Sequence, residues 1–253
     1  MKNDLFRLSE NMSSNSNNLP FQLGLSHASC LDDPGLPGAD CFPVMLPHAV
    51  ELHVIRHGES AANAGKLITG TMNVPLTKLG RKQARQAGRR LARNYDLAFS
   101  SMLFRSRETL RLALNAGKLN DVCVKESPYL AERRLGNLEL QSARPIPEYA
   151  GGDLLYAPPG GESYYEVTGR MMRFLTDLAG TIEDAWHRRQ KRIRRILLCT
   201  HMGPMRILAG ILNEDADPVR VLSRSYNPTQ MSVFHWCRIT YPRFLDIDSN
   251  TQI

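Results

Sequence analysis

The chain has 253 residues, of which 42% are apolar and 23% charged, and a net charge of +7. This length can bury a core without disulfides or a structural metal, and the composition excludes collagen, coiled coil and a wholly disordered chain. No run approaches the ~20 consecutive apolar residues of a membrane span, so no membrane association is expected.

Residues 1–48 read as a flexible or loosely docked N-terminal extension. They include the polar run Ser13-Ser14-Asn15-Ser16-Asn17-Asn18 and the turn-rich Asp32-Asp33-Pro34-Gly35-Leu36-Pro37-Gly38. Residues 1–50 carry net −3 and the remainder +10, and a basic body of this kind points to anionic partners. No apolar segment near Met1 resembles a secretory signal. The five cysteines (Cys30, Cys41, Cys123, Cys199 and Cys237) are odd in number and form no C-x-x-C pair, which suits reduced thiols in a cytoplasmic protein.

From residue 49 the pattern predicts one catalytic domain running to 245, followed by a tail over 246–253. Ala49 to Ile55 is a short apolar run that predicts a buried strand. Thr77 is placed to cap a helix over Lys78–Asn94, with Leu79, Ala84, Ala87 and Leu91 facing the core. Tyr95–Ser101 predicts a second strand, Arg105–Ala116 a helix and Asp121–Lys125 a short strand. Residues 140–162, rich in proline and glycine, predict a loop or lid. A long helix over Ser163–His187, a strand over Arg195–Thr200, a helix over Pro204–Leu212 and a strand over Met231–Ile239 complete the pattern. Strands alternating with helices predict an α/β fold: a three-layer α/β/α sandwich with a mostly parallel central sheet.

Two predicted strands run directly into a histidine and a turn, at Arg56-His57-Gly58 and Thr200-His201-Met202-Gly203. The carboxyl ends of parallel strands line the ligand crevice of such folds, so both histidines would face one pocket. A third strand end delivers Arg105. Two histidines and two arginines suit a phosphoryl group: guanidinium forks grip its oxygens, and neutral imidazole is a nucleophile. An acid must also protonate the leaving oxygen, and Glu132, in Leu130-Ala131-Glu132-Arg133-Arg134, is the candidate. Glu126, Glu139 and Glu162 compete for that role, and Glu162 is expected instead to cap the following helix or order the lid. His27, His48, His53, His187 and His235 carry no motif.

Arg56-His57-Gly58-Glu59-Ser60, followed by Asn63, resembles the signature of the histidine phosphatase superfamily, the phosphoglycerate mutase-like proteins. The resemblance continues through Pro75-Leu76-Thr77, Ser101-x-Leu103-x-Arg105, the Glu132 segment, Gly160-Gly161-Glu162-Ser163 and Thr200-His201-x-Gly203, covering roughly residues 50–240. It implies that His57 becomes phosphohistidine, that Arg56, Arg105 and His201 clamp the phosphoryl group, and that Glu132 is general acid and then base. Asn63, Glu59 and Gly203 would contact phosphate or substrate. It implies no metal and no organic cofactor. Met202 departs from the glycine common after the second histidine.

These residues predict a phosphatase acting on a small phosphorylated metabolite. The alternatives are a phosphoglycerate mutase-type transferase and a catalytically silent phosphate-binding scaffold. No nucleic-acid partner is expected. The basic runs at 81–93 and 188–195 lack the aromatic platforms of a nucleic-acid module and read as solvated helix faces. The oligomeric state is left open, a homodimer included.

Overall fold

The structure, a computed structural model, describes residues 42–143, 146–188 and 191–245. The expected extension up to residue 41 and the tail over 246–253 lie outside the described residues.

Five strands form one sheet in the order β3-β2-β4-β1-β5: β1 (Val44–Arg56), β2 (Leu97–Ser101), β3 (Cys123–Ser127), β4 (Arg195–Thr200) and β5 (Met231–Ile239). β1, β2, β3 and β4 run parallel, and β5 pairs antiparallel with β1. The helices are α1 (Ala61–Ala64), α2 (Lys78–Gly88), α3 (Phe104–Gly117), α4 (Pro147–Ala150), α5 (Tyr164–His187), α6 (Met202–Leu212) and α7 (Pro218–Ser223).

Alternation along the strands sends successive side chains to opposite faces. Leu52, Val54, Ile196 and Leu198 pack with Met171, Met172 and Leu175 of α5 and with Ile207 and Leu208 of α6. Ile55, Ala98, Leu197 and Cys199 face the other way, onto Ala87 of α2 and Leu110 and Leu114 of α3. Helices therefore cover both faces, and the run of apolar residues in β1 and β4 is that of strands buried on both sides.

The elements depart from the sequence reading at several edges. β1 begins at Val44 rather than Ala49, so residues 44–48, assigned to the extension, belong to the sheet. Pro47 interrupts the apolar pattern there, and the pairing with β5 shifts register between Met45 and Val50. β4 pairs only with residues 51–56 of β1, so the proline, which lacks an N–H, sits where one neighbour is absent. α2 stops at Gly88 rather than Asn94. A Cβ on Gly88 would fall 2.1 Å from the Ala113 carbonyl oxygen, so α2 and α3 meet backbone to backbone there. Ala84 and Ala87 are buried as expected, but Leu79 is 50% exposed. The short helices α1, α4 and α7 were not anticipated. Among the described residues no helix is long and apolar enough to cross a membrane.

Candidate active site

β1 and β4 end side by side, and the His57 amide donates to the Thr200 carbonyl at 3.0 Å. This register brings the His57 and His201 rings to 5.0 Å between centroids. The turn after His57 needs glycine for space: a Cβ on Gly58 would lie 2.6 Å from the Gly80 carbonyl oxygen. The Gly58 amide donates to Thr109 Oγ1 at 3.0 Å, and the Thr109 hydroxyl donates to the Arg105 carbonyl at 2.6 Å. One threonine on α3 thus ties the turn after His57 to the helix that carries Arg105.

His57 is 3% exposed. Its Nδ1 lies 2.7 Å from the Gly58 carbonyl oxygen. A carbonyl only accepts, so Nδ1 carries the proton and Nε2 presents a lone pair. Arg105 Nε donates to that lone pair at 3.2 Å. Burial, and then the charges of Arg105 and Arg56, push the His57 pKa well below the ordinary histidine value, which keeps the ring neutral.

Arg105 is fully buried on the first turn of α3. Its other nitrogens donate to the Met72 carbonyl at 2.8 Å and the Gly70 carbonyl at 2.7 Å. Burial draws its pKa down to about 10, so the guanidinium stays charged at neutral pH. Glu139 holds the same loop from its far side, accepting from the Thr71 amide and hydroxyl and from the Leu135 amide. Arg56 donates to the Tyr226 carbonyl, and its Nε is buried without a partner among the described residues.

His201 is fully buried. Its Nε2 lies 2.6 Å from Ser101 Oγ, and its Nδ1 has no partner among the described residues. Burial lowers its pKa as well, followed by the charges of Arg105 and the neighbouring His57. α6 begins at the next residue. The Gly203 amide, at the positive end of that helix, donates to Glu132 Oε1 at 3.1 Å, and the Arg133 amide donates to the same oxygen at 2.9 Å. A Cβ on Gly203 would lie 2.6 Å from that oxygen, so glycine is what lets the carboxylate dock here.

A cleft of about 560 Å³ opens over this floor, and Arg56, His57, Asn63, Arg105, Glu132 and Gly203 all line it. Ile146 and Ala150 line it from the 140–162 segment, and Met202 lies on its wall. Asn63 Oδ1 accepts from the Ser60 amide and hydroxyl in a capping box on α1, which leaves the side-chain amide nitrogen as the group to offer a ligand. A larger groove, about 710 Å³, runs beside α3 and β3 past Phe104, Leu114 and Val124; of the candidates, Glu126 lines it, away from the two histidines.

One expectation does not fit this geometry, and another fits in only one of its two forms. Glu59 is absent from the cleft lining. Its carboxylate accepts from the Thr77 hydroxyl at 2.6 Å, and that hydroxyl in turn accepts from the Gly80 amide at the start of α2, so Glu59 supports a helix cap. Glu162 does not cap α5; Ser163 and Glu166 do so as a capping box. Glu162 instead pairs with Arg170 at 2.8 Å and accepts from the Arg134 amide at 3.3 Å, fixing the loop before α5. The sequence reading also passed over Arg133, Tyr164 and Arg206, which line the cleft. One signal was available for Arg206: it stands four residues after Met202 on α6, the spacing that puts both on one helix face.

Residues 52–241 match the family model described as the histidine phosphatase superfamily, branch 1. A 2,3-bisphosphoglycerate-dependent phosphoglycerate mutase of Rhizobium etli is 36% identical over 135 residues, 49% of this chain and 65% of the relative. The Xenopus laevis fructose-2,6-bisphosphatase TIGAR is 36% identical over 123 residues, 46% of this chain and 45% of that protein. The chain therefore spans less than two thirds of the length of either relative. The structure of a mycobacterial glucosyl-3-phosphoglycerate phosphatase superposes with a TM-score of 0.61 at 25% identity, covering 73% of this chain and 89% of that one.

Proposed function

The chain belongs to the histidine phosphatase superfamily, branch 1, and we propose that it is a phosphatase that hydrolyses a small phosphorylated metabolite through a phosphohistidine on His57. One observation carries this reading. The Gly58 carbonyl fixes the proton of His57 on Nδ1, so the lone pair of Nε2 stands at the cleft floor beside buried arginine.

The steps follow from that tautomer. A phosphomonoester enters and its oxygens take up the nitrogens the protein leaves unspent, Arg56 Nε and His201 Nδ1, together with the Nε–H of Arg105. That frees the lone pair of Nε2, which attacks phosphorus in line. The bond from phosphorus to the leaving oxygen breaks, and Glu132 gives its proton to that oxygen. Water then attacks the phosphohistidine, the Glu132 carboxylate takes the proton of the water, and the N–P bond breaks to release inorganic phosphate and neutral His57. The arginines meet charge on the transferring group at a floor where His57 and Arg105 are buried.

A mutase reading has its own support in the likeness to the Rhizobium etli enzyme. It shares the first half-reaction but returns the phosphoryl group to bound product instead of water. The experiment is hydrolysis of p-nitrophenyl phosphate with EDTA present, by wild type and His57→Ala, beside a bisphosphoglycerate-primed isomerisation assay. EDTA-resistant hydrolysis that falls by on the order of 10⁴-fold or more in the variant supports the phosphatase. Isomerisation outrunning hydrolysis would replace it with the mutase.

A further inference from the structure

Arg56 and Arg206 both line the cleft. Burial lowers the Arg56 pKa, and the nearby charge of Arg206 adds to that. Two like charges move apart unless something holds them. Each is held by a backbone carbonyl, and both carbonyls belong to the short segment between α7 and β5. Arg206 Nε donates to the Arg224 carbonyl at 2.6 Å, and Arg56 donates to the Tyr226 carbonyl two residues on. Where those carbonyls stand therefore decides where the two guanidinium groups point. The far end of the segment is tied to β1: the Thr229 amide donates to the Arg56 carbonyl at 3.1 Å, and the Arg56 amide donates to the Gln230 carbonyl at 3.1 Å. The near end is tied by one carboxylate. Asp215 accepts from Arg224 Nη2 at 2.6 Å and from Arg220 Nε at 2.9 Å, so it grips α7 through Arg220 and the residue after α7 through Arg224. Its own amide donates to the Gly210 carbonyl at 2.9 Å, which fixes it to α6, the helix that starts beside His201. The Asp215 side chain is 5% exposed, and the hydrogen bond from Arg220 holds its carboxyl below the ordinary range, so it is charged at neutral pH.

We propose that Asp215 is a positioning residue for the reaction: by strapping α7 and Arg224 to α6, it sets the carbonyls that aim Arg206 and Arg56 into the cleft. What the aimed groups do during turnover rests on the phosphatase reading, but the aim itself shows in anion binding and is tested separately. The charges that act on Arg56 are those of Glu132 and Arg206, so Asp215 works through the backbone between them. Its two partners differ in weight. The Arg220 side chain is exposed and that of Arg224 is mostly buried. An exposed ion pair contributes little, so Arg224 is the partner that carries the strap to the carbonyls.

The test is binding of inorganic phosphate by calorimetry, with thermal melts of the same proteins. Asp215→Asn keeps the shape of the side chain and removes its charge. It should weaken phosphate binding about tenfold, the worth of one charge-assisted hydrogen bond lost at the phosphoryl site. Arg224→Met leaves the carbonyl of residue 224 in the chain but frees it from Asp215, and should weaken binding by a similar factor. Arg224→Lys should restore part of the affinity. The double variant Asp215→Asn/Arg224→Met should bind no more weakly than either single one, because both break one strap. Arg220→Met should change phosphate affinity by less than about twofold. A carboxylate that only stabilises the fold would lower the melting temperature and leave the phosphate affinity of the folded protein unchanged, and that result overturns the proposal. Fully additive weakening in the double variant overturns it too. Hydrolysis of p-nitrophenyl phosphate by the same proteins reports on the phosphatase reading alone: phosphate binding that depends on Asp215, without hydrolysis by wild type, would support the positioning role and remove the phosphatase.

Discussion

The ends of β1 and β4 carry nearly the same sequence signal and are built for different work. Each strand delivers a buried histidine, and the rings lie 5.0 Å apart, with His57 lining the cleft and His201 packed behind it. At β1 the anchor of the ring is a backbone carbonyl, that of Gly58. At β4 it is a hydroxyl, that of Ser101. A carbonyl can only accept, so it dictates one tautomer. A hydroxyl accepts or donates, so it lets the proton of His201 sit on either nitrogen. The difference suits the proposed roles: a nucleophile needs a permanently bare nitrogen, while a clamp needs to offer a proton to whichever oxygen arrives. The chain after each histidine diverges accordingly. Gly58 turns tightly against Gly80, whereas His201 leads straight into α6, whose first amides hold Glu132.

The sharpest way to break this division is to remove each ring in turn and trap the phosphoenzyme by rapid acid quench. His57→Ala should form none. His201→Ala should still form phosphohistidine, with turnover reduced about 10²- to 10³-fold, as for loss of one preorganised donor to a developing charge. If His57→Ala were phosphorylated, the tautomer argument would assign the wrong nucleophile.

A smaller effect separates the acid from both histidines. Glu132→Gln keeps an oxygen to accept from the Gly203 and Arg133 amides but has no proton to give the leaving oxygen. Hydrolysis of alkyl phosphates should slow about 10²- to 10⁴-fold, and p-nitrophenyl phosphate much less, because nitrophenolate leaves without protonation. Equal slowing of both substrates would move the acid role to another group.

Much of this site was legible because its residues follow a local rule. A β-branched run that ends at histidine and glycine marks a strand end, and parallel strand ends converge. That logic reached His57, His201 and Arg105, and the order of motifs reached Asn63 and Glu132. It misplaced Glu59, which stands within the motif but whose carboxylate is taken by Thr77 from eighteen residues on. Nothing local signals that pairing. Thr109 was missed, and Glu139 was weighed only as an acid, for the same reason, since each acts by holding backbone from a distant segment. The edges of the fold failed differently. Pro47 reads as a break, yet β1 continues past it where only β5 needs a partner. Leu79 has the right helical spacing for the core, but α2 packs through Gly80, Ala84, Ala87 and Gly88 and leaves Leu79 half exposed.

The least dramatic prediction treats the two histidines together, as a load on the fold. Both have pKa values held below the ordinary 6.5, chiefly by burial. Unfolding exposes them to water, where each takes up a proton as pH falls through about 6.5. Below that point the unfolded chain binds more protons than the folded one, so stability falls with pH. The slope approaches about 1.4 kcal/mol per pH unit for each histidine. His53, whose pKa is also lowered mainly by burial, acts in the same direction. The paired carboxylates Glu51, Asp96 and Asp215 titrate in a lower range, so between pH 7 and 5.5 the histidines dominate. Urea unfolding across that window should show stability decreasing with acidity, and His57→Asn and His201→Asn should each flatten the decline by one histidine's share. The flattening should be equal, because the load depends on burial and not on which nitrogen carries the proton. A decline removed by only one of the two substitutions would mean that one ring already binds its proton in the folded state, and the β1 and β4 ends would then differ in charge as well as in tautomer.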